Sequence, residues 1–400
     1  MTVRTIERAA TGISISADGA YAARLAGAGE ALFPERWTLD GPEPYAVPLP
    51  LHQPEEPDTE LLPLADGRVL VHRRAGWRQL FSLLYPTGPG TGELPLGGIE
   101  STTAGPVRLL PPAPDGRRAY ALAPGESSTA IWLVAGGAAG PERVAEVPGR
   151  CSGGVWLDRT GQLLGLDRQS DGGPAKAVAV DLARAGEVSP LLQIADDSDD
   201  RLLLAAPDSG LLVVRSNAPG EDRIGWGVLG GSRPVRFPDC LRLPGRTVTP
   251  FAVQPGQVLL PESCAVAFRV DGDEGSWLGV WRPSGRRLHQ RAAPEGWFAG
   301  AGRWSDAGAL HVPYTNGAVP CGVAVFDAPA EAPADPPAAP PAGPAIEPTI
   351  DPSAGLAVGG PSSPLPGVSG GPAGPAPDRP AAYRPVPLQQ APLGGRKLAG

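Results

Sequence analysis

Ala65-Asp66-Gly67-Arg68-Val69-Leu70-Val71-His72-Arg73 is a tight turn running straight into an apolar strand. The Asp side chain can accept hydrogen bonds from its own turn, and the Gly supplies the positive φ that a short connection demands. The same unit recurs along the chain: ADG-AYAARL at Gly19, PDG-RRAYAL at Gly116, DRTG-QLLGLD at Gly161, PDSG-LLVVRS at Gly210, QPG-QVLLPE at Gly256 and SDAG-ALHVPY at Gly308. Successive anchor glycines are 48, 49, 45, 49, 46 and 52 residues apart. A near-constant period of this size is a repeat architecture.

Ten to 22 residues past each anchor a second strand is expected, around Trp37, Trp77, Trp132, Val180, Trp226, Trp277 and Val323. No window carries a sustained helical stripe, whereas short apolar runs bounded by turn residues are frequent. Four short antiparallel strands fit into about 48 residues, the size of a propeller blade. A parallel solenoid would repeat at a shorter and stricter period, and two sandwiches would not share one period. The reading is an all-β chain with a single β-propeller of seven blades, six and eight being the alternatives. The segment TVRTIERA, which precedes the first anchor, is expected to lend an outer strand to the blade around Gly308.

Gly (55) and Pro (51) make up about a quarter of the 400 residues, and they divide in two. Residues 329–400 hold 19 Pro and 11 Gly with a single aromatic, Tyr383. Such a segment cannot bury enough apolar surface to offset its ordering entropy, so a disordered tail is expected there. The propeller is assigned to residues 1–328, where the remaining glycines and prolines punctuate strands.

The anchors resemble the PDG-type repeats of TolB-like propellers and of the N-terminal propeller of prolyl-oligopeptidase-type serine peptidases. The resemblance spans residues 12–327 as a pattern of repeats. The peptidases carry a C-terminal hydrolase domain, and here the matching place holds the Pro-rich tail. Trp-Asp dipeptides, the mark of WD repeats, do not occur. Thirty-two Arg against two Lys, Lys176 and Lys397, point to a high-GC bacterial source.

The net charge of −8 argues against nucleic acid as the main partner. No apolar run is long enough for a membrane span. The segment MTVRTIERAATGIS lacks the apolar core of a secretory signal, so a cytoplasmic location is expected. The motif G-x-S-x-G around Ser369 lies in the tail without the strand-to-helix turn that a nucleophile elbow needs. Cys151, Cys240, Cys264 and Cys321 lack zinc-site spacing and read as buried reduced thiols. The acidic runs Asp196-Asp197-Asp199-Asp200 and Asp271-Asp273-Glu274 lack the spacing of a calcium loop and read as solvated loops. No cofactor and no metal are expected.

Counting from each anchor Gly, position +5 holds Arg24, His72 and Arg215, and position +3 of the last repeat holds His311. Strand alternation puts these four on one side of their blades, as candidates for a basic patch lining the central channel. The plainer reading, which we prefer at this stage, is that +5 marks the strand end, where polar chains reach solvent. In the tail, Tyr383, Arg384, Pro385, Pro387 and Leu388 combine extended backbone with apolar and basic anchors, as peptide ligands do. The functional expectation is a non-catalytic, monomeric propeller that binds a protein or peptide partner. The alternatives are an accessory propeller serving a serine hydrolase in trans, and a propeller enzyme acting through its channel.

Overall fold

The computed structural model describes residues 12–100, 105–170, 172–256 and 260–329. By contacts the chain divides into two compact units, Met1–Ala330 and Glu331–Gly400. The second unit lies outside the described residues, and so do residues 1–11, on which the expected closing strand falls.

The first unit is all-β. Antiparallel four-stranded meanders occupy residues 13–48, 60–100, 108–148, 150–192 and 247–292. Three-stranded ones occupy 200–228 and 303–327, and an isolated antiparallel bridge from Trp226 to Arg236 extends the former. In chain order these are termed the first to seventh meanders. One parallel bridge, Lys176 to Asp200, joins the fourth to the fifth. Among the described residues the only helical elements are three single 3-10 turns, Leu182–Arg184, Asp239–Leu241 and Pro261–Ser263.

The anchor strands are apolar without alternation because both of their faces are covered. In Val69–Ala75, Leu70 packs toward the third meander, while Val69 and Val71 pack toward the first. In Ala119–Pro124, Tyr120 and Leu122 face the fourth meander, and Ala119 and Ala121 face the second. Large residues on one side and small ones on the other let adjacent sheets interlock. Burying one such large side chain is worth about 1.5–3 kcal/mol. Every hydrophobic cluster is shared by two meanders that are neighbours in sequence, with one exception. That cluster packs Trp37 of the first meander against Phe298, on the approach to the seventh, with ring centroids 5.5 Å apart at 78°. The first and last meanders therefore meet through side chains.

The anchor turns also touch in sequence. Six of the seven anchor glycines have φ between 66° and 82°. Asp18, Asp66 and Asp115 each accept a backbone N–H from two residues further on, as the sequence reading requires. Arg36 donates to the Gly67 carbonyl at 3.2 Å, the Ala65 amide to the Gly116 carbonyl at 2.9 Å, and Arg118 to the Thr160 carbonyl at 2.9 Å. Arg159 pairs with Asp208, which accepts from the Gly256 amide at 3.0 Å, and Arg303 donates to the Asp18 carbonyl.

Three expectations need correction. The anchor strand is the second strand of its meander, not the first. The first strands are short segments such as Ile13–Ile15, Glu60–Pro63, Arg108–Leu109 and Arg303–Trp304, and those of most successive meanders lie against one another. After Gly256, residues 257–259 of the expected strand lie outside the described residues; Pro261–Ser263 forms a 3-10 turn, Pro261 having no N–H to give a ladder, and the next described strand is Val266–Gly272. Trp77 sits on a hairpin turn, 60% exposed, one residue before its strand Arg78–Pro86.

Candidate functional site

His72 is the most deeply placed of the channel candidates. It is fully buried, so its position does not mark a strand end open to solvent. Ladder pairing sets it opposite Glu60 on one side and Phe81 on the other. Its Nδ1 lies 3.2 Å from Glu60 Oε2 and its Nε2 lies 2.8 Å from Gln79 Oε1. Its ring stacks on Phe81 at 5.0 Å. Glu60 Oε2 also accepts the Leu109 amide at 2.7 Å, which ties the second meander to the first strand of the third. Burial pushes the Glu60 carboxyl up, but His72, the Leu109 amide and the Arg74 guanidinium outweigh it and hold Glu60 below the usual carboxylate range.

The same device recurs between other meanders. The Cys151 amide donates to Thr129 Oγ1 at 2.9 Å and the Leu202 amide to Asp167 Oδ1 at 2.8 Å. A first strand has one edge without a ladder partner, and a buried amide left unpaired there is costly. Side-chain acceptors from the preceding meander satisfy it.

Arg24 is occupied as well. Its guanidinium makes three hydrogen bonds to Glu35, at 3.1, 3.4 and 2.9 Å, and lies 5.3 Å from the ring centroids of both Trp37 and Phe298. It braces the contact between the first and last meanders. Arg24 and Glu60 share the wall of a cavity of about 430 Å³ lined by the first strands of the first three meanders and the second strand of the first. Of the four candidates Arg24 alone lines it; His72 reaches it only through its contact with Glu60. His311 is exposed on the seventh meander opposite Arg303, and partial burial and that guanidinium keep its imidazole below the ordinary value.

Arg215 lines a different cavity of about 570 Å³, between the fifth meander and the segment leading into the sixth. Arg223, Arg242 and Arg246 share that wall with Glu221 and Asp222. Arg223 bonds Asp239 at 2.7 Å, Arg242 bonds Glu221 at 2.9 Å, and Arg246 bonds Gln290 at 2.9 Å while lying over the Trp277 ring.

Sequence reasoning missed one buried centre. Asp200, wholly inaccessible, accepts from Lys176 Nζ at 2.8 Å, the Ile194 amide at 2.9 Å, Ser198 Oγ at 2.8 Å and Ser216 Oγ at 2.6 Å. The signal was on the page: Lys176 is one of two lysines among 34 basic residues. The acidic run containing Asp199 and Asp200 is thus partly a set of internal acceptors, since Asp199 Oδ1 takes the Ala175 amide at 2.6 Å. Asp271 likewise pairs with Arg269 at 2.7 Å. Burial pushes the Cys151 and Cys321 thiols up to about 11, which keeps them protonated and unreactive at neutral pH. Among the described residues no helix is long and apolar enough to cross a membrane. Tyr383, Arg384, Pro385, Pro387, Leu388 and the Ser369 motif lie outside the described residues.

Solved structures similar to the chain include propellers. The chain is similar to the β-propeller domain of the Trilobed protease from Pyrococcus furiosus, at 11% identity and a TM-score of 0.49 over 79% of this chain and 95% of that one. It is similar to a puromycin-hydrolyzing peptidase from Mycobacterium tuberculosis at 17% identity and a TM-score of 0.49, covering 80% of this chain and 52% of that one, so it spans about half the peptidase's length. A putative TolB from Agrobacterium tumefaciens matches at 17% identity and a TM-score of 0.38, over 57% of this chain and 79% of that one. The neighbours are thus of the TolB and prolyl-oligopeptidase propeller kinds that the anchors resemble. No family model matches the chain, and no curated protein does.

Proposed function

We propose that the chain is a seven-bladed β-propeller acting as a monomeric, non-catalytic module that binds a protein or peptide partner. The seven meanders would be the blades, and the Trp37–Phe298 cluster the seam at which the ring closes. The boundary between propeller and tail is placed near residue 328.

The observation that carries the functional reading is how the polar groups are spent. Channel chemistry would draw on Arg24 and His72, yet Glu35 takes the first, and Glu60 and Gln79 take the second. A group held in a buried hydrogen-bond network fixes structure, and freeing it for a substrate would leave its partners unsatisfied. Surface composition favours docking: of six exposed large apolar side chains among the described residues, Tyr45, Trp77, Tyr85 and Leu94 all belong to the first two meanders. Exposed aromatics of this kind anchor protein interfaces.

Cross-linking of the full-length protein in its native host, read by mass spectrometry, tests the proposal. Reproducible cross-links from the propeller to one polypeptide are expected. Recovery of none, alongside turnover of a small substrate abolished by Glu60→Gln, would favour channel catalysis instead.

A further inference from the structure

We infer that the cavity between the fifth and sixth meanders recognises an acidic peptide segment through Arg215; this rests on the reading of the protein as a peptide- or protein-binding module. Three features converge there. Arg215 is half-buried, yet its guanidinium has no hydrogen-bond or ion-pair partner among the described residues. Its ladder neighbour on the first strand of the meander is Arg201, so two cations stand directly opposite each other. Like charges so placed are destabilising. Arg201 lies 3.9 Å from the Asp167 carboxylate, so of the two facing cations it is Arg215 that is left without a counter-charge.

The second feature is how the other arginines are held. Glu221 bonds Arg242, Asp239 bonds Arg223, and Gln290 bonds Arg246. Three guanidiniums are thereby fixed in place at the rim, and Arg215 alone keeps its full set of donors for a ligand. A guanidinium fork matches a carboxylate with two parallel hydrogen bonds, which is stronger and more directional than a lone ammonium contact.

The third feature decides between a bare anion and a peptide. The cavity is about 570 Å³, and its wall includes Ile224, Leu241, Leu243 and Val248. Leu241 and Val248 belong to the core cluster between the two meanders, so this apolar wall is rigid. A small anion would use the arginines and leave the half-buried Leu243, the most accessible part of the apolar wall, without contact. A segment pairing Asp or Glu with a neighbouring Leu or Ile uses both, and 300–1,000 Å³ is the usual size of a ligand pocket.

The test titrates the full-length protein into a fluorescein-labelled peptide, Asp-Leu-Asp-Leu-Glu, and reads anisotropy. Saturable binding is expected, weakened at least tenfold by Arg215→Glu, with thermal unfolding of that variant close to wild type. Arg286→Glu, on an exposed turn of the sixth meander, is expected to bind as wild type does. The same peptide with Lys in place of each acid is expected not to bind. Equal affinity in the Arg215→Glu protein overturns the inference, as does equal affinity for the Lys peptide. Displacement of the peptide by succinate at equimolar concentration would make this a small-anion site and overturn it too. If cross-links to a host polypeptide survive Arg215→Glu while peptide binding was never seen, this site falls and the module reading stands.

Discussion

The amide of Ala65 donates to the carbonyl of Gly116 at 2.9 Å, so the anchor turn of the second meander is bonded to that of the third. Gly116 has φ 66°, and a Cβ built on it would lie 2.6 Å from Ala65 Cβ. The repeated Gly thus answers two demands, a left-handed turn and a close approach to the neighbouring turn.

Gly116→Ala is therefore expected to cost more than a positive φ alone explains. Gly29 is a fitting control: it has φ 61° with nothing within 4 Å of its would-be Cβ. Gly29→Ala should lose about 1–2 kcal/mol, the strain of an L-residue in that region. Gly116→Ala should lose a further ~1 kcal/mol or more, because backbone must move to relieve the clash. Urea midpoints for the two variants decide it, and equal losses would refute the close-approach argument.

Asp167 offers a prediction about pH. Burial raises its carboxyl from 3.8 to about 6, against the Leu202 amide and Arg201, which pull it down. The folded state then holds the proton more tightly than the unfolded chain, so stability falls as pH rises from about 4 to 6. A shift of about two units corresponds to roughly 3 kcal/mol. Asp167→Asn keeps an oxygen for the Leu202 amide and cannot ionise. It should flatten that slope and stabilise the protein at pH 8, as thermal unfolding across the pH range would record. An unchanged slope would show that Asp167 stays ionised in the fold.

How far the sequence was legible follows from burial. The second strands could be read because both faces are packed, which makes runs such as Leu211-Leu212-Val213-Val214 uniformly apolar. The first strands could not. Arg108–Leu109 and Arg303–Trp304 have two residues each, too few for any periodicity, and their partners are set by tertiary contact. His72 and Arg24 stood out as channel candidates by repeat position, but their acceptors Glu60, Gln79 and Glu35 could not be read. Those residues become partners only through ladder register, which a single sequence leaves open.

His72 acts on Leu109 through Glu60, and that chain of contacts can be tested. His72→Leu takes one partner from the Glu60 carboxylate and the buried one from Gln79 Oε1, at a cost of roughly 2–4 kcal/mol. Hydrogen exchange at the Leu109 amide should accelerate more than at Leu122, which belongs to another strand of the same meander. Glu60, held low in the fold, contributes stability above about pH 4.5 that is lost as pH falls through its folded pKa. Glu60→Gln should remove that acid-side loss. Uniform acceleration of exchange over the third meander would mean that His72 serves packing alone.

The Lys176–Asp200 pair makes the sharpest case for one residue type over another. Lys176 Nζ reaches the Ala195 carbonyl, Ser198 Oγ at 3.3 Å and Asp200 Oδ2 at 2.8 Å, so its three donors converge on three acceptors in a small volume. The planar guanidinium of Arg, used almost everywhere else in this chain, cannot place donors in that arrangement. Burial raises the Asp200 carboxyl, but Lys176 and the hydroxyls bring it below its ordinary range. Lys176→Met leaves a wholly buried carboxylate without its cation, which costs about 3–5 kcal/mol at neutral pH. The loss should shrink as the pH is lowered, because without its cation the buried Asp200 carboxyl takes up a proton more readily. Adding Asp200→Asn should recover much of it, giving a coupling energy well above 1 kcal/mol in a double-mutant cycle. Lys176→Arg should lose stability despite keeping the charge. A variant as stable as wild type would mean that charge alone, and not the convergence of three donors, holds the fourth and fifth meanders together at this point.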